Sequence, residues 1–435
     1  MLGDSLARVP VITGIDLISG LGVGKQVNWR SMVAGKSGIR RISRFEPSRL
    51  MTKIGGELPP DFEEAVAKNI RKFTLNRTSQ FTHLALLCSL MALRDSGLDL
   101  DREDHERIGV ILGNSIGGVE YLEREFREVA KKHVGATITL DNSFFSGVGY
   151  SMENLFAVKF MQNALSAQVA IEHKLFGPNM VISTACAAGG MAVEIAADYI
   201  RWGVGDIFIA GGVEIFVTES GVMSFNKLTA LSLQNAHPEK AIKPFDKNRD
   251  GTVLGDGAGI MIIESEEHAR NRGATIYARI LGHANVCEGY SLATPEPSGK
   301  GMALVMKKAL LDARINPDQV DYLSAHGTGT FHNDRAESKA IHAVFGGHAK
   351  QIPVSSQKSM IGHTIGAAGG IELAVTALSL QTGILTPNIN YETPDPHCDL
   401  NIVKNEAWER PIAIAVSNSF ALGGHNSCIV LQKVE

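Results

Sequence analysis

The chain of 435 residues is 44% apolar and 20% charged, a balance that excludes a disordered or collagen-like polymer and, at ~150 residues per domain, supplies more than one ordinary domain. Lys and Arg number 42 against 46 Asp and Glu, a net charge of −4, so no basic excess exists to neutralise a nucleic-acid backbone. The start, MLGDSLARVPVITG, has neither a basic leader nor a sustained apolar run, and no stretch of ~18 residues is free of polar groups. Cys88, Cys186, Cys287, Cys398 and Cys428 are odd in number and widely spaced, with no C-x-x-C pair. Free thiols in a soluble, cytoplasmic protein are the expectation.

Short β-branched runs that end in glycine-rich turns recur along the chain. In order they are RIGVILGNSIGG (107–118), MVIST (180–184), DIFIAGGVE (206–214), VDYLSAHGTGT (320–330), IPVSSQKSMIGH (352–363) and IAIAVSNSFALGGHN (412–426). Helical segments at 187–202 and 303–313 alternate with them, which predicts a layered α/β architecture with buried sheets. A charged helical stretch, EYLEREFREVAKKH (120–133), precedes an aromatic SFFSGVGY (143–150). The segment GLGVGKQ (20–26) matches neither glycine-rich nucleotide fingerprint. No Pro-rich or Ser-rich linker divides the chain.

A weak internal repeat predicts two similar halves. Cys186-Ala187-Ala188-Gly189-Gly190 leads into one apolar helix and Gly366-Ala367-Ala368-Gly369-Gly370 into another, each ending near a glycine, Gly203 or Gly383. A duplicated βα unit would set the two helices side by side, with small residues letting them start close together.

The strand ahead of Cys186 runs straight into the turn that starts its helix. A thiol there faces unpaired helix-start N–H groups and the positive end of the dipole, which predicts a lowered pKa and a reactive thiolate. A buried structural cysteine is the plain alternative. Two histidines fit as partners. His326 opens HGTGT after the strand of 320–325, and His363 closes KSMIGH ahead of the repeated GAAGG helix. Each alone reads as a core histidine; in matching repeat units they predict convergence on Cys186. Other histidines, such as His342 and His348, lack cysteine or carboxylate partners at metal spacing, so no zinc site is expected.

These motifs together resemble the elongating, type II β-ketoacyl-[acyl carrier protein] synthases. Thr184-Ala185-Cys186-Ala187-Ala188-Gly189, HGTGT, KSMIGH with GAAG, and SNSFALGGHN carry the resemblance, with PFDKNRDGTVLGDGAG (244–259) and HNDRAES (332–338). It runs in order from about Val11 to the C-terminus. The resemblance implies the thiolase fold, an α/β duplication stacked as αβαβα with two mixed five-stranded sheets. It implies an N-terminal half over 1–266 carrying Cys186 and a C-terminal half over 267–435 carrying both histidines.

The implied reaction is a decarboxylative Claisen condensation. Cys186 takes an acyl group from an acyl carrier protein, and a malonyl carrier then loses CO₂ and attacks it, lengthening the chain by two carbons. His326 and His363 would donate N–H bonds to the developing enolate, and the N–H groups of Cys186 and Leu422 would form an oxyanion hole. Lys358 would orient the neighbouring histidine, Glu337 would support the site from behind, and Thr328 and Thr330 would bind the phosphopantetheine arm. Ile116, Phe225, Phe420 and Leu422 match acyl-pocket positions. No cofactor or catalytic metal is implied; a structural monovalent cation near Ser417 and Asn418 is. The partners implied are carrier proteins, a second copy in a homodimer, or a chain-length factor in a heterodimer, with no membrane and no nucleic acid.

Departures bear on substrate choice. The family usually has glycine and an aromatic gate where Ala421 and Leu422 stand, and the 119–178 segment looks long. Both point towards an unusual or bulkier acyl chain in a fatty acid, polyketide or polyene pathway. The alternatives are a non-catalytic chain-length-factor-type partner, which loses the nucleophile, and a CoA-dependent thiolase, which needs a second catalytic cysteine near the ALGGHN loop; Cys428 lies beyond that loop.

Overall fold

A computed structural model describes residues 8–132 and 153–434. Ten strands carry the fold in two sets of five. The first set comprises β1 (Pro10–Ser19), β2 (Ile108–Gly113), β3 (Asn179–Ile182), β4 (Ile207–Glu214) and β5 (Gly257–Ser265), in the spatial order β3-β2-β4-β5-β1. The second comprises β6 (Ala278–Cys287), β7 (Tyr322–Ser324), β8 (Pro353–Ser355), β9 (Ile414–Phe420) and β10 (His425–Gln432), in the order β8-β7-β9-β10-β6. Counted within each set, the order is the same, 3-2-4-5-1. The pairing senses match too: β2 is parallel to β3 and β4, β7 is parallel to β8 and β9, and the remaining pairs are antiparallel. The repeat legible in sequence is thus a repeat of whole sheets. They join where Val11 and Ile12 of β1 meet Arg279 and Ala278 of β6.

Alternation along the strands sends side chains to two different cores. In β2, Val110 and Leu112 pack outward against Leu84 and Leu87 of α1 (Gln80–Ser96), whereas Ile111 points inward. The inward faces of both sheets close on two central helices, α2 (Ala188–Arg201) and, later in the chain, Ala368–Thr382. The other outer face is covered by α3 (Lys300–Asp312) and α4 (Phe331–Phe345), whose Met306, Leu310, Ile341 and Phe345 meet Leu323, Val354, Val416 and Val430. The helix of Ala368–Thr382, α5, is buried at every position from Ala368 to Leu380, as a helix enclosed by two sheets must be. The result is the expected αβαβα stack.

The two central helices begin in backbone contact. A Cβ on Gly189 would lie 2.8 Å from the Gly370 nitrogen, and one on Gly369 would lie 2.5 Å from the Gly190 nitrogen. No larger residue fits either position, which is the physical reason for the paired glycines read from the sequence. The charged stretch predicted at 120–133 forms a helix over Val119–Lys132. SFFSGVGY (143–150) lies outside the described residues. GLGVGKQ forms a turn held by the Asn28 side-chain amide, which donates to the carbonyls of Gly22 and Gly24 in the turn and of Leu17 in β1. All five cysteines are free.

Candidate active site

Two matching turns bring the chemistry together. After β3 the chain passes through Ala185 at φ 48°, a left-handed conformation that is costly for a residue with a Cβ, and Cys186 follows in a single 3₁₀ turn ahead of α2. After β8 the chain passes through Ile365 at φ 45°, and Gly366 follows in the same 3₁₀ turn ahead of α5. The strained residue occupies the same place in both repeats. What differs is the next side chain, a thiol in the first and none in the second.

Cys186 is 3% exposed, and its Sγ lies 3.1 Å from His363 Nε2. The Ile365 N–H donates to His363 Nδ1 at 3.3 Å, so Nδ1 accepts and the ring proton sits on Nε2, facing the sulfur. Lys358 Nζ lies 3.4 Å from His326 Nδ1. An ammonium only donates, which again leaves the ring proton on Nε2. The two rings stand nearly perpendicular, 82° apart, with centroids separated by 5.3 Å. One ligand atom from each of Cys186, His326 and His363 falls within 4.8 Å of the others. The trio has the donor number of a metal site, but with both Nδ1 atoms accepting, the Nε2 atoms carry protons and offer no lone pair. Two N–H donors and one sulfur around a shared point are instead suited to a thioester.

Burial sets the protonation states. His326 and His363 are held well below the ordinary imidazole range by burial first and then by the Lys358 charge, so both are neutral at pH 7. The sequence expectation for Cys186 is corrected by the same effect. The N–H groups of Leu422 and Cys186 and the charge on Lys358 do lower its pKa, as a helix entrance should. Desolvation outweighs them and pushes the thiol up to about 11. The resting group is a thiol, not a thiolate.

A second layer of charge lies behind the rings. Lys358 forms a buried ion pair with Glu372 of α5, and burial pushes the Glu372 carboxyl up to about 7 against the pull of that lysine. Sequence reasoning passed over Glu372. Its signal was an acid in the otherwise apolar run GIELAVTALSL, where an unpaired charge would be prohibitively desolvated. Glu337 of α4 is fully buried and accepts the N–H groups of His326 and Gly327, both at 2.8 Å, which fixes the HGTGT turn from below. Thr328 and Thr330 share a hydrogen bond of 2.8 Å. Arg249, from the PFDKNRDG segment, bonds the Thr330 carbonyl at 3.2 Å and Asp395 at 2.8 Å.

Cys186, His326 and His363 line a cavity of about 370 Å³ that reaches the surface. Phe225, Phe420, Leu422, Thr328 and Thr330 are in its wall with Cys186 and both histidines. Phe420 packs against His326 at 6.0 Å between ring centroids. Ile116, on the turn after β2, is 39% exposed and is not in the wall of this cavity, and its backbone N–H is directed to Glu214. On β9, Ser417 and Asn418 are buried, and the Asn418 side-chain Oδ1 has no hydrogen-bond partner among the described residues. That acceptor fits a monovalent cation. Cys428, the cysteine nearest the ALGGHN loop in sequence, is buried on β10 and absent from the cavity wall.

Comparison with known proteins agrees with this geometry. The family model described as "Beta-ketoacyl synthase, N-terminal domain" matches residues 8–269, and "Beta-ketoacyl synthase, C-terminal domain" matches residues 277–392. The chain is 38% identical to 3-oxoacyl-[acyl-carrier-protein] synthase 2 of Coxiella burnetii, covering 98% of this chain and 99% of that protein. It is 37% identical to the protein of the same name from Synechocystis sp., covering 98% of each. Among solved structures, a type II polyketide ketosynthase, bound to the hexaketide and in complex with its acyl-carrier protein, superposes with a TM-score of 0.88 at 33% identity, covering 98% of this chain and 100% of that one. The ishigamide ketosynthase/chain length factor also gives 0.88, at 31% identity over 99% of this chain and 100% of that one. With matched halves, a cysteine turn and two imidazoles closing on it, the chain belongs to the β-ketoacyl synthase family.

Proposed function

We infer that this chain is an elongating ketosynthase that condenses an acyl group on Cys186 with a malonyl unit delivered by an acyl carrier protein. The observation that carries the reading is the convergence of the Cys186 sulfur with the rings of two neutral histidines, His363 through Nε2 at 3.1 Å and His326 with a ring nitrogen within 4.8 Å. In the first half-reaction Sγ bonds to the acyl carbon, the carrier's C–S bond breaks, and the proton of Cys186 ends on the carrier thiol. The N–H groups of Cys186 and Leu422 are placed for the transient oxyanion. In the second, the malonyl carboxylate leaves as CO₂ and its electron pair moves into the thioester as an enolate. His326 and His363 donate to that oxygen as its charge grows; charged imidazoliums are not needed. The enolate carbon then attacks the acyl carbon of the acyl-cysteine, the C–S bond to Cys186 breaks, and the released thiolate takes a proton from solvent.

Lys358, paired with Glu372, orients His326, and Glu337 holds the backbone of the same turn. Thr328 and Thr330 are placed in the wall to bind the pantetheine arm, and Phe225, Phe420 and Leu422 to border the acyl chain. The retained sulfur and histidines argue against a non-catalytic chain-length factor. The catalytic halves divide at residues 266 and 267, between β5 and β6. The partner copy docks on β3, an edge strand that pairs only with β2 among the described residues and whose neighbours Ile171 and Phe176 are 64% and 72% exposed. No helix among the described residues is long and apolar enough to cross a membrane. Five free thiols support a reducing, cytoplasmic setting for the enzyme. Elongation assays with acyl carriers of varied length and unsaturation, plus malonyl carrier, test the reading. A β-ketoacyl product from the wild type and none from Cys186→Ala supports it; CoA-dependent acyl exchange without malonyl consumption contradicts it.

A further inference from the structure

Glu214 ends β4, is fully buried, and does not line the cavity. Its Oε2 accepts the Ser115 N–H at 2.8 Å and the Gly366 N–H at 3.2 Å, and its Oε1 accepts the Asn114 side-chain amide at 3.0 Å. The Ile116 N–H is directed at it as well. Among the described residues it has no ion-pair partner; backbone N–H groups, the Asn114 amide and the Ser115 hydroxyl surround it and favour the anion, against burial that pushes the carboxyl up to about 7.

These bonds reach both catalytic turns. On one side, the Ser115 hydroxyl donates to the Ala185 carbonyl at 2.9 Å. Ala185 is the strained residue that presents Cys186. On the other side, Gly366 follows Ile365, the strained residue whose N–H fixes the ring of His363. The duplication explains why the carboxylate fits. A Cβ on Gly366 would lie 2.6 Å from Glu214 Oε2 and 2.9 Å from Ser115 Oγ. Glu214 therefore occupies, in the second turn, the place where a side chain matching Cys186 would begin.

We propose that Glu214 is a positioning residue whose carboxylate ties the Cys186 turn to the His363 turn and so holds sulfur and imidazole at reacting distance. The proposal rests on the condensing reading above. It goes beyond that reading in making the geometry of the pair depend on a group that touches neither substrate nor sulfur.

The test compares the full-length wild type with Glu214→Gln, Ser115→Ala and the double variant. Each is titrated for folded active sites, and kcat and KM for malonyl carrier are measured. Glu214→Gln keeps the size of the side chain but replaces one acceptor with a donor facing N–H groups. Its kcat is expected to fall about tenfold or more, with KM changed less than about twofold, because misplacement of reacting groups acts on turnover. Ser115→Ala is expected to lose severalfold, and the double variant to be no worse than Glu214→Gln, since both act through one connection. A merely structural role would lower the melting temperature and the active fraction but leave kcat per active site unchanged; that result overturns the proposal. If Glu214→Gln does not fold, Ser115→Ala decides: an unaltered kcat there overturns the route. A wild type that makes no condensation product would sink the condensing reading instead, which keeps the two failures apart.

Discussion

Alkylation of Cys186 by iodoacetamide should accelerate about tenfold per pH unit between pH 7 and pH 9, with no plateau. Only the thiolate reacts at an appreciable rate. With the thiol pushed up to about 11, the thiolate is about one molecule in ten thousand at pH 7 and about one in a hundred at pH 9. His326 and His363 stay uncharged throughout this range because their values lie well below the ordinary one, so no protonated imidazole adds to the field. Lys358 is the leading side-chain charge that draws the value down, and Lys358→Met should slow alkylation at fixed pH. The assay is intact-mass detection of a single adduct in a Cys287→Ser background, since Cys287 is the one exposed thiol of the five. A rate that levels off at or below pH 7.5 would mean that the helix entrance outweighs burial, and a resting thiol at residue 186 would be refuted.

Three further outcomes follow from the same contacts. His326→Ala should slow malonyl decarboxylation by about 10²- to 10³-fold, the usual cost of removing one oxyanion donor, while acyl transfer to Cys186, read by mass, changes little. Lys358→Met leaves the buried Glu372 acid without its cation, so it takes up a proton at neutral pH, and a lower denaturant midpoint is expected, with a loss below the ~3–5 kcal/mol of an uncompensated buried charge; a midpoint equal to that of the wild type would contradict the pair's role. Leu422→Phe should narrow or slow acyl acceptance in a chain-length series, because it restores a bulky ring in the cavity wall; unchanged rates and selectivity would show that residue 422 does not gate the pocket.

Much of this site was legible because its chemistry is local in sequence. A cysteine placed between a strand and a small-residue helix, and two histidines on glycine-rich turns, declare themselves by what surrounds them. The GAAGG repeat announced the paired helices because close approach leaves room only for glycine. What was hidden depends on depth and on distance along the chain. Whether Cys186 is a thiol or a thiolate is a contest between a helix start and desolvation, and a sequence displays the first but not the second. Glu372 and Glu214 sit in apolar runs that read simply as core; their partners lie 14 and 152 residues away, Lys358 and Gly366.

Whether one sulfur and two neutral imidazoles perform a decarboxylative condensation is tested most directly by following both half-reactions on one sample. The enzyme is loaded with an acyl carrier and the mass at residue 186 recorded; radiolabelled malonyl carrier is then added and released CO₂ counted against product. The expected result is an acyl adduct on Cys186 that disappears as malonyl carrier is consumed, with one CO₂ released for each β-ketoacyl carrier formed. An adduct that persists, or product formed equally well by Cys186→Ala, would contradict it.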